Sequence, residues 1–188
     1  DADDIWHPDK LRQQVQALSL HPECNLCRTH ITTKSENLQN FHQATNSSST
    51  EYDIESDLAA SFLDPYFTTS TVMVRRTAFD LVGGFDPNLR IAEDIDFYLR
   101  ILAPAPTVLF MKESLVYKRP VVGSLGDDSA AGYVQLLAVY HRFLTEHPRA
   151  QHTLGRAVVD KAFYHLYTCL ARSMMWVGRN QEARAAAL

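Results

Sequence analysis

Apolar positions repeat at helical spacing in several stretches of the chain and cluster as strands in others. Pro8 stands where a first helical position tolerates it, and Leu11, Val15 and Leu18 follow at three-to-four spacing until residues 19–22 stop the run. This pattern predicts a short amphipathic helix with those three side chains facing a core. Residues 25–32 read as a strand, and residues 33–57 turn polar around Asn46-Ser47-Ser48-Ser49-Thr50, which predicts a long surface loop. A β-rich, buried strand is predicted over residues 68–74. A short helix over 75–82 follows, closed by Gly83-Gly84.

Residues 93–102 predict a second helix with Ile95, Leu99 and Leu102 inward and acids in its first turn, where the helix dipole favours negative charge. Pro104 and Pro106 close it. Residues 107–118 are either a strand pair or one bent strand. Beyond them the chain is helical: residues 132–145 and 154–177 carry apolar side chains at three-four spacing, Gly178 breaks the second run, and an alanine-rich helix follows from Asn180. Tyr164, Tyr167 and Trp176 are expected to be core residues of the long helix.

Composition narrows the function. With 188 residues, a net charge of -4 and a pI near 6.0, the chain lacks the concentrated Lys/Arg surface that nucleic-acid phosphates demand. The three cysteines, Cys24, Cys27 and Cys169, fit a reducing compartment. Cys24-x-x-Cys27 lacks a second ligand pair for zinc and is expected to be structural. The eight histidines show no ligand spacing. No apolar run approaches the roughly 18 residues of a membrane span, so a soluble, cytoplasmic chain is expected.

Two separated segments carry chemistry. The first is Asp1-Ala2-Asp3-Asp4-Ile5-Trp6-His7-Pro8-Asp9-Lys10-Leu11. The second contains Ser70-Thr71-Val72-Met73-Val74-Arg75-Arg76, then Gly83-Gly84-Phe85-Asp86, then Glu93-Asp94-Ile95-Asp96 and Leu99-Arg100. In this order and separation they resemble family-two glycosyltransferases, with the first segment similar to that family's DxD region. The resemblance covers roughly residues 1 to 125.

It implies an α/β fold, a partial GT-A mixed sheet with flanking helices and a helical C-terminal tail. Residues 1–128 would be the C-terminal, acceptor-side part of the transferase domain, and 129–188 a helical extension. The βαβ units that hold the nucleotide in this family would precede Asp1, so this piece is expected to bind sugar nucleotide poorly by itself.

The implied reaction is inverting transfer of a sugar from a nucleotide-diphosphate donor to a carbohydrate or lipid-linked acceptor, as in bacterial surface-polysaccharide assembly. The departing diphosphate gathers negative charge, which a divalent metal (Mn2+ or Mg2+) held by carboxylates stabilises. By the resemblance Asp3 is the principal ligand, with Asp1 and Asp4 supporting. Asp94 is the base that takes the acceptor's hydroxyl proton, and Glu93 orients it or binds acceptor. Gly83 and Gly84 let the backbone pass close to the acceptor, beside Phe85 and Asp86.

Where the family often has a Tyr-Arg-x-His-like segment, this chain reads Tyr117-Lys118-Arg119-Pro120, without histidine. Either the aspartates and diphosphate hold the metal alone, or Lys118 and Arg119 supply positive charge to the leaving group. The resemblance allows peripheral association with the inner face of a membrane and leaves oligomeric state open. Two alternatives stand beside it: a non-catalytic helical interaction module, and another metal-dependent phosphotransfer enzyme using the same aspartates. Arg75 and Arg76 are either a solvated pair or contacts for an anionic acceptor.

Overall fold

A computed structural model describes residues 4–33, 41, 51–64, 67–119, 129–176 and 178–186. Asp1 and Asp3 therefore lie outside the described residues, as does most of the polar stretch 33–57. The elements in chain order are β1 (Ile5–Trp6), α1 (Lys10–Leu20), β2 (Leu26–Thr32), β3 (Tyr52–Glu55), α2 (Leu58–Leu63), β4 (Met73–Val74), α3 (Arg76–Val82), α4 (Glu93–Leu102), β5 (Val108–Tyr117), α5 (Ser129–Glu146), α6 (Pro148–Trp176) and α7 (Asn180–Ala186). They form two compact units, one holding the strands with α1 and α3, the other holding α2 and α4 to α7.

The sheet runs β1-β5-β2-β4, with β3 also on β5. β2 and β5 are parallel, from Leu26 opposite Val108 to Thr32 opposite Tyr117, and the other pairings are antiparallel. This is the expected α/β class, a mixed sheet with flanking helices, consistent with a GT-A-like domain. Residues 108–117 form one strand, and the register with β2 shifts around His30. Its side chains Val108, Leu109, Met111, Leu115 and Val116 are buried, in keeping with a strand paired on both sides.

Helix α1 departs from its sequence pattern. Leu11 and Val15 are exposed, while Lys10, Gln13, Gln14, Ala17 and Leu18 are buried. Ala17 and Leu18 join Cys24, Cys27, Leu109, Met111 and Leu115 in one core cluster. Two of the polar side chains beside them are partnered, Gln14 Nε2 donating to the Thr71 carbonyl at 2.8 Å and Lys10 Nζ to Gln14 Oε1 at 2.8 Å, whereas Gln13 Oε1 is buried without a hydrogen-bond partner among the described residues. Cys24 and Cys27 are fully buried thiols, as expected of structural cysteines.

Two elements lie in or beside the stretch read as loop. β3 pairs with β5, supported by Lys112, whose Nζ lies 2.7 Å from Glu51 and 3.5 Å from Asp53. α2 buries Leu58 and Phe62. The strand expected over 68–74 narrows to Met73–Val74, after a 3-10 turn at Thr69–Thr71.

Arg75 is half-buried and engaged by the backbone, not a freely solvated side chain. Its guanidinium donates to the carbonyls of Leu18, His21 and Cys24, the last two at 3.0 and 2.8 Å, and so caps the C-terminal end of α1. Arg75→Met is expected to cost about 2 kcal/mol, because buried carbonyls lose their donors. Urea unfolding would show it as a lowered midpoint, and an unchanged midpoint would remove the capping role. Arg76 stays exposed, paired with Asp80.

In the second unit α5 and α6 form a hairpin, with Pro148 at the start of α6, where its missing N–H costs nothing. Tyr140 Oη donates to the Phe62 carbonyl at 2.6 Å, and the two rings lie 4.4 Å apart. Gly155, with φ 70 and ψ 161, kinks α6. Ala162, Leu166, Leu170, Ala171 and Met174 face inward, but Tyr164, Tyr167 and Trp176 do not. The expectation that these aromatics belong to the core is corrected: the small and aliphatic side chains fill the inward stripe, leaving the rings on the outer face.

Candidate functional site

The opening segment is fixed by short contacts on either side of β1. Ile5 pairs with Tyr117 and Trp6 with Val116, and His7 N–H donates to the Leu115 carbonyl at 3.0 Å. Asp4 precedes Ile5 and Lys118 follows Tyr117, so the two flank the last pair of this ladder, and the Lys118 N–H donates to the Thr32 carbonyl at 2.9 Å. Ser70, buried in the 3-10 turn, donates its hydroxyl to Asp4 Oδ2 at 2.6 Å. An acidic and a basic strand end thus lie side by side, with Lys118 and Arg119 both exposed. The first residues of the segment, including Asp1 and Asp3, fall outside the described residues.

Behind this edge lies Lys10. Its ammonium sits 4.0 Å from the Trp6 ring centroid and on Gln14, within a buried environment. Burial lowers its pKa from 10.5 to about 8, against a smaller opposing effect of Cys27, while burial raises Cys27 from 9.0 to about 12.

Between about pH 8 and 10.5 the unfolded chain holds the Lys10 proton and the folded chain does not, so stability rises with pH across that window. Above 9.0 the folded chain keeps the Cys27 proton that the unfolded chain loses, so this group acts in the opposite direction. Stability is therefore expected to rise by about 1 kcal/mol from pH 8 to 9 and then level off. In Lys10→Met the rise should vanish; a rise equal to the parent's in denaturant titrations would exclude Lys10 as its source.

The second constellation is built on α4. Gly83 adopts the left-handed conformation (φ 82) that closes α3, and its N–H donates to the Phe79 carbonyl at 3.0 Å. Gly84, also at positive φ (77), leads into Phe85, whose ring lies 4.6 Å from that of Phe97. Asp86 Oδ1 accepts the Asn88 N–H at 2.9 Å and its Nδ2 at 3.0 Å, and Oδ2 accepts Arg142 Nη1 at 2.6 Å. The Asn88 N–H first, and Arg142 next, hold the Asp86 carboxyl below its usual 3.8. Its contribution to stability is thus present above 3.8 and lost as the pH falls below it.

Arg142 reaches further. Its Nη2 donates to Asp96 Oδ1 at 2.6 Å, while Arg100 Nε donates to Asp96 Oδ2 at 2.9 Å and Arg100 Nη2 to the Gly84 carbonyl at 2.7 Å. Asp96 is only 3% exposed, so this is a charge buried with two cations around it. The hydrogen bonds that Arg142 donates to Asp96 and then to Asp86 raise its pKa. Residues 84–88 and the start of α4 are thereby clamped to one another and to α5.

Within that clamp, Ala92 takes φ 63, the one positive φ outside glycine among the described residues. A left-handed alanine costs on the order of 1 kcal/mol, and such strain gathers at functional positions. It delivers the chain into α4 with Glu93 and Asp94 in the first turn, half-buried, and Asp94 Oδ1 accepts the Ile95 N–H at 2.8 Å.

The structure groups Gly84, Phe85, Asp86, Glu93 and Asp94 in one unit, and Asp4, Gly83, Lys118 and Arg119 in the other. Sequence reasoning placed Ser70, Asp96 and Arg100 within the second segment without giving them a role, and missed Arg142 altogether. Asp96 and Arg100 stand at the i,i+4 spacing of a helical ion pair, which was a usable signal. Arg142, contributed by another helix, left none. Among the described residues no group of three or more His, Cys, Asp or Glu is placed to hold a metal ion, and no helix is long and apolar enough to cross a membrane.

No curated protein matches the chain. The model of the glycosyltransferase-like family 2 matches it over residues 1–187, almost its whole length, so the chain belongs to the glycosyltransferase-like family 2.

Proposed function

We propose that this chain carries the metal and acceptor half of an inverting sugar transfer, from a nucleotide-diphosphate sugar to a carbohydrate or lipid-linked acceptor. The observation that supports it most is the clamped first turn of α4: a carboxylate pair after a strained Ala92, beside a Gly-Gly-Phe-Asp loop held by Arg100 and Arg142. A base must be held still near the hydroxyl it deprotonates, and buried ion pairs around Asp96 supply that rigidity.

In the step, the acceptor hydroxyl oxygen forms a bond to the anomeric carbon as the bond to the diphosphate oxygen breaks. The proton passes to an Asp94 carboxylate oxygen, and the bonding electrons leave with the diphosphate. Glu93 orients Asp94 or holds the acceptor. Gly83 and Gly84 leave space for the acceptor, with Phe85 offering a half-exposed ring and Asp86 fixing the loop. Lys118 and Arg119 meet the developing negative charge.

The carboxylate chemistry of the opening segment fits a hard divalent cation. Asp4 stands at the strand end beside Lys118, and Asp3 and Asp1 would hold Mn2+ or Mg2+ with it. When bound, the metal would act as a Lewis acid on the diphosphate.

Screening nucleotide sugars for release of nucleoside diphosphate coupled to a new glycosidic bond tests the assignment in the full-length protein. Release of inorganic phosphate with no sugar transferred would favour a phosphotransfer enzyme instead. Inactivity toward every donor, with α6 binding another protein, would favour a non-catalytic module.

A further inference from the structure

The charge of the chain is unevenly distributed. Residues 147–188 contain six Lys or Arg against only Asp160 and Glu182, a net charge of +4 in a chain whose total is -4. Arg156 pairs with Asp160 and Arg179 with Glu182. Lys161 and Arg172 have no carboxylate partner among the described residues.

Those two cations share a face of α6 with large exposed apolar groups: Tyr164 is 75% exposed, Met175 62% and Trp176 91%. At 3.6 residues per turn, positions 161, 164, 172, 175 and 176 fall within an arc of about 120° and extend for about 22 Å. The opposite face of the helix is already filled by Ala162, Leu166, Leu170 and Met174. The outer stripe is therefore not a core face turned the wrong way.

We propose that this stripe is a docking surface for an anionic lipid bilayer, on which α6 lies parallel to the membrane plane. Trp and Tyr rings sit at the headgroup boundary, where one part of the ring is apolar and the other wet, and Lys and Arg meet the lipid phosphates. The charge asymmetry favours this occupant. A net positive segment on an otherwise acidic chain is drawn to an anionic surface. A second copy of the chain fits poorly, because a two-fold contact through this face would set Lys161 and Arg172 against the same cations. The inference does not rest on sugar transfer, since its readouts are binding alone.

The chain has two tryptophans, Trp6 and Trp176, so Trp6→Phe leaves Trp176 as the only reporter. Titrated with vesicles of phosphatidylcholine and phosphatidylglycerol, its emission should shift to the blue and be quenched by brominated acyl chains. Vesicles of phosphatidylcholine alone should bind far more weakly. Lys161→Gln with Arg172→Gln should lower partitioning onto the anionic vesicles about 25-fold, since each cation near such a surface is worth about fivefold. Trp176→Ser, followed by co-sedimentation, should lose binding without loss of helical circular dichroism. Absence of partitioning, equal partitioning of the parent and both variants, or dimerisation abolished by Trp176→Ser without vesicle binding would each overturn the proposal.

Discussion

Asp94→Asn is expected to lower the turnover of sugar transfer by about 10²- to 10⁴-fold, the usual contribution of a positioned general base. The exchange keeps the shape of the side chain and its acceptor oxygen for the Ile95 N–H, 2.8 Å away. α4 should therefore persist, with a stability cost of no more than about 1 kcal/mol from weaker interaction with the helix dipole. Donor affinity, measured by calorimetry, should stay within about twofold, because Asp94 is assigned to the acceptor's proton and not to the diphosphate. Asp3→Asn should show the reverse pattern, with weakened donor binding. Turnover by Asp94→Asn equal to the parent's would remove it as the base.

The second large effect is on stability. Asp96 is almost wholly buried, and it joins Arg142 to Arg100 and, through Arg100, to the Gly84 carbonyl. Asp96→Asn leaves the two arginines short of their shared anion and turns an amide donor toward one of them. Breaking a buried pair typically costs 3 to 5 kcal/mol; the Arg142 side chain is 36% exposed, so water offsets part of the loss and about 3 kcal/mol is expected.

At this chain length, a loss of about 3 kcal/mol corresponds to a fall of roughly 6 to 12 °C in Tm. Arg142→Met should cost less, and the double variant less than the sum of the two, because the same contact cannot be lost twice. Additive losses would mean that Asp96 and Arg142 are not coupled.

Legibility in the sequence followed the kind of interaction. α4 was readable because Ile95, Leu99 and Leu102 mark a core face by local periodicity, and all three are buried. β5 was readable from its apolar run, although only its pairing with β2 settled one strand against two. The inward face of α1 was not readable, since periodicity counts Leu11 and Val15 as core. Their burial lost to that of Lys10 and Gln14, whose partners include Thr71 on another segment.

β3 was hidden because Tyr52-Asp53-Ile54-Glu55 alternates like an edge strand but follows a polar run, and its support comes from Lys112 on β5. The candidate site divides the same way. Glu93, Asp94 and the Gly-Gly-Phe-Asp loop form contiguous motifs. Arg142 meets Asp86 and Asp96 only after α5 packs on α4.

The proposed single displacement, assisted by a carboxylate, fixes the anomeric configuration of the first product. Proton NMR of the new glycosidic linkage, recorded before any anomeric exchange, should show the configuration opposite to that of the donor sugar. A product that keeps the donor's configuration would contradict the mechanism assigned to Asp94.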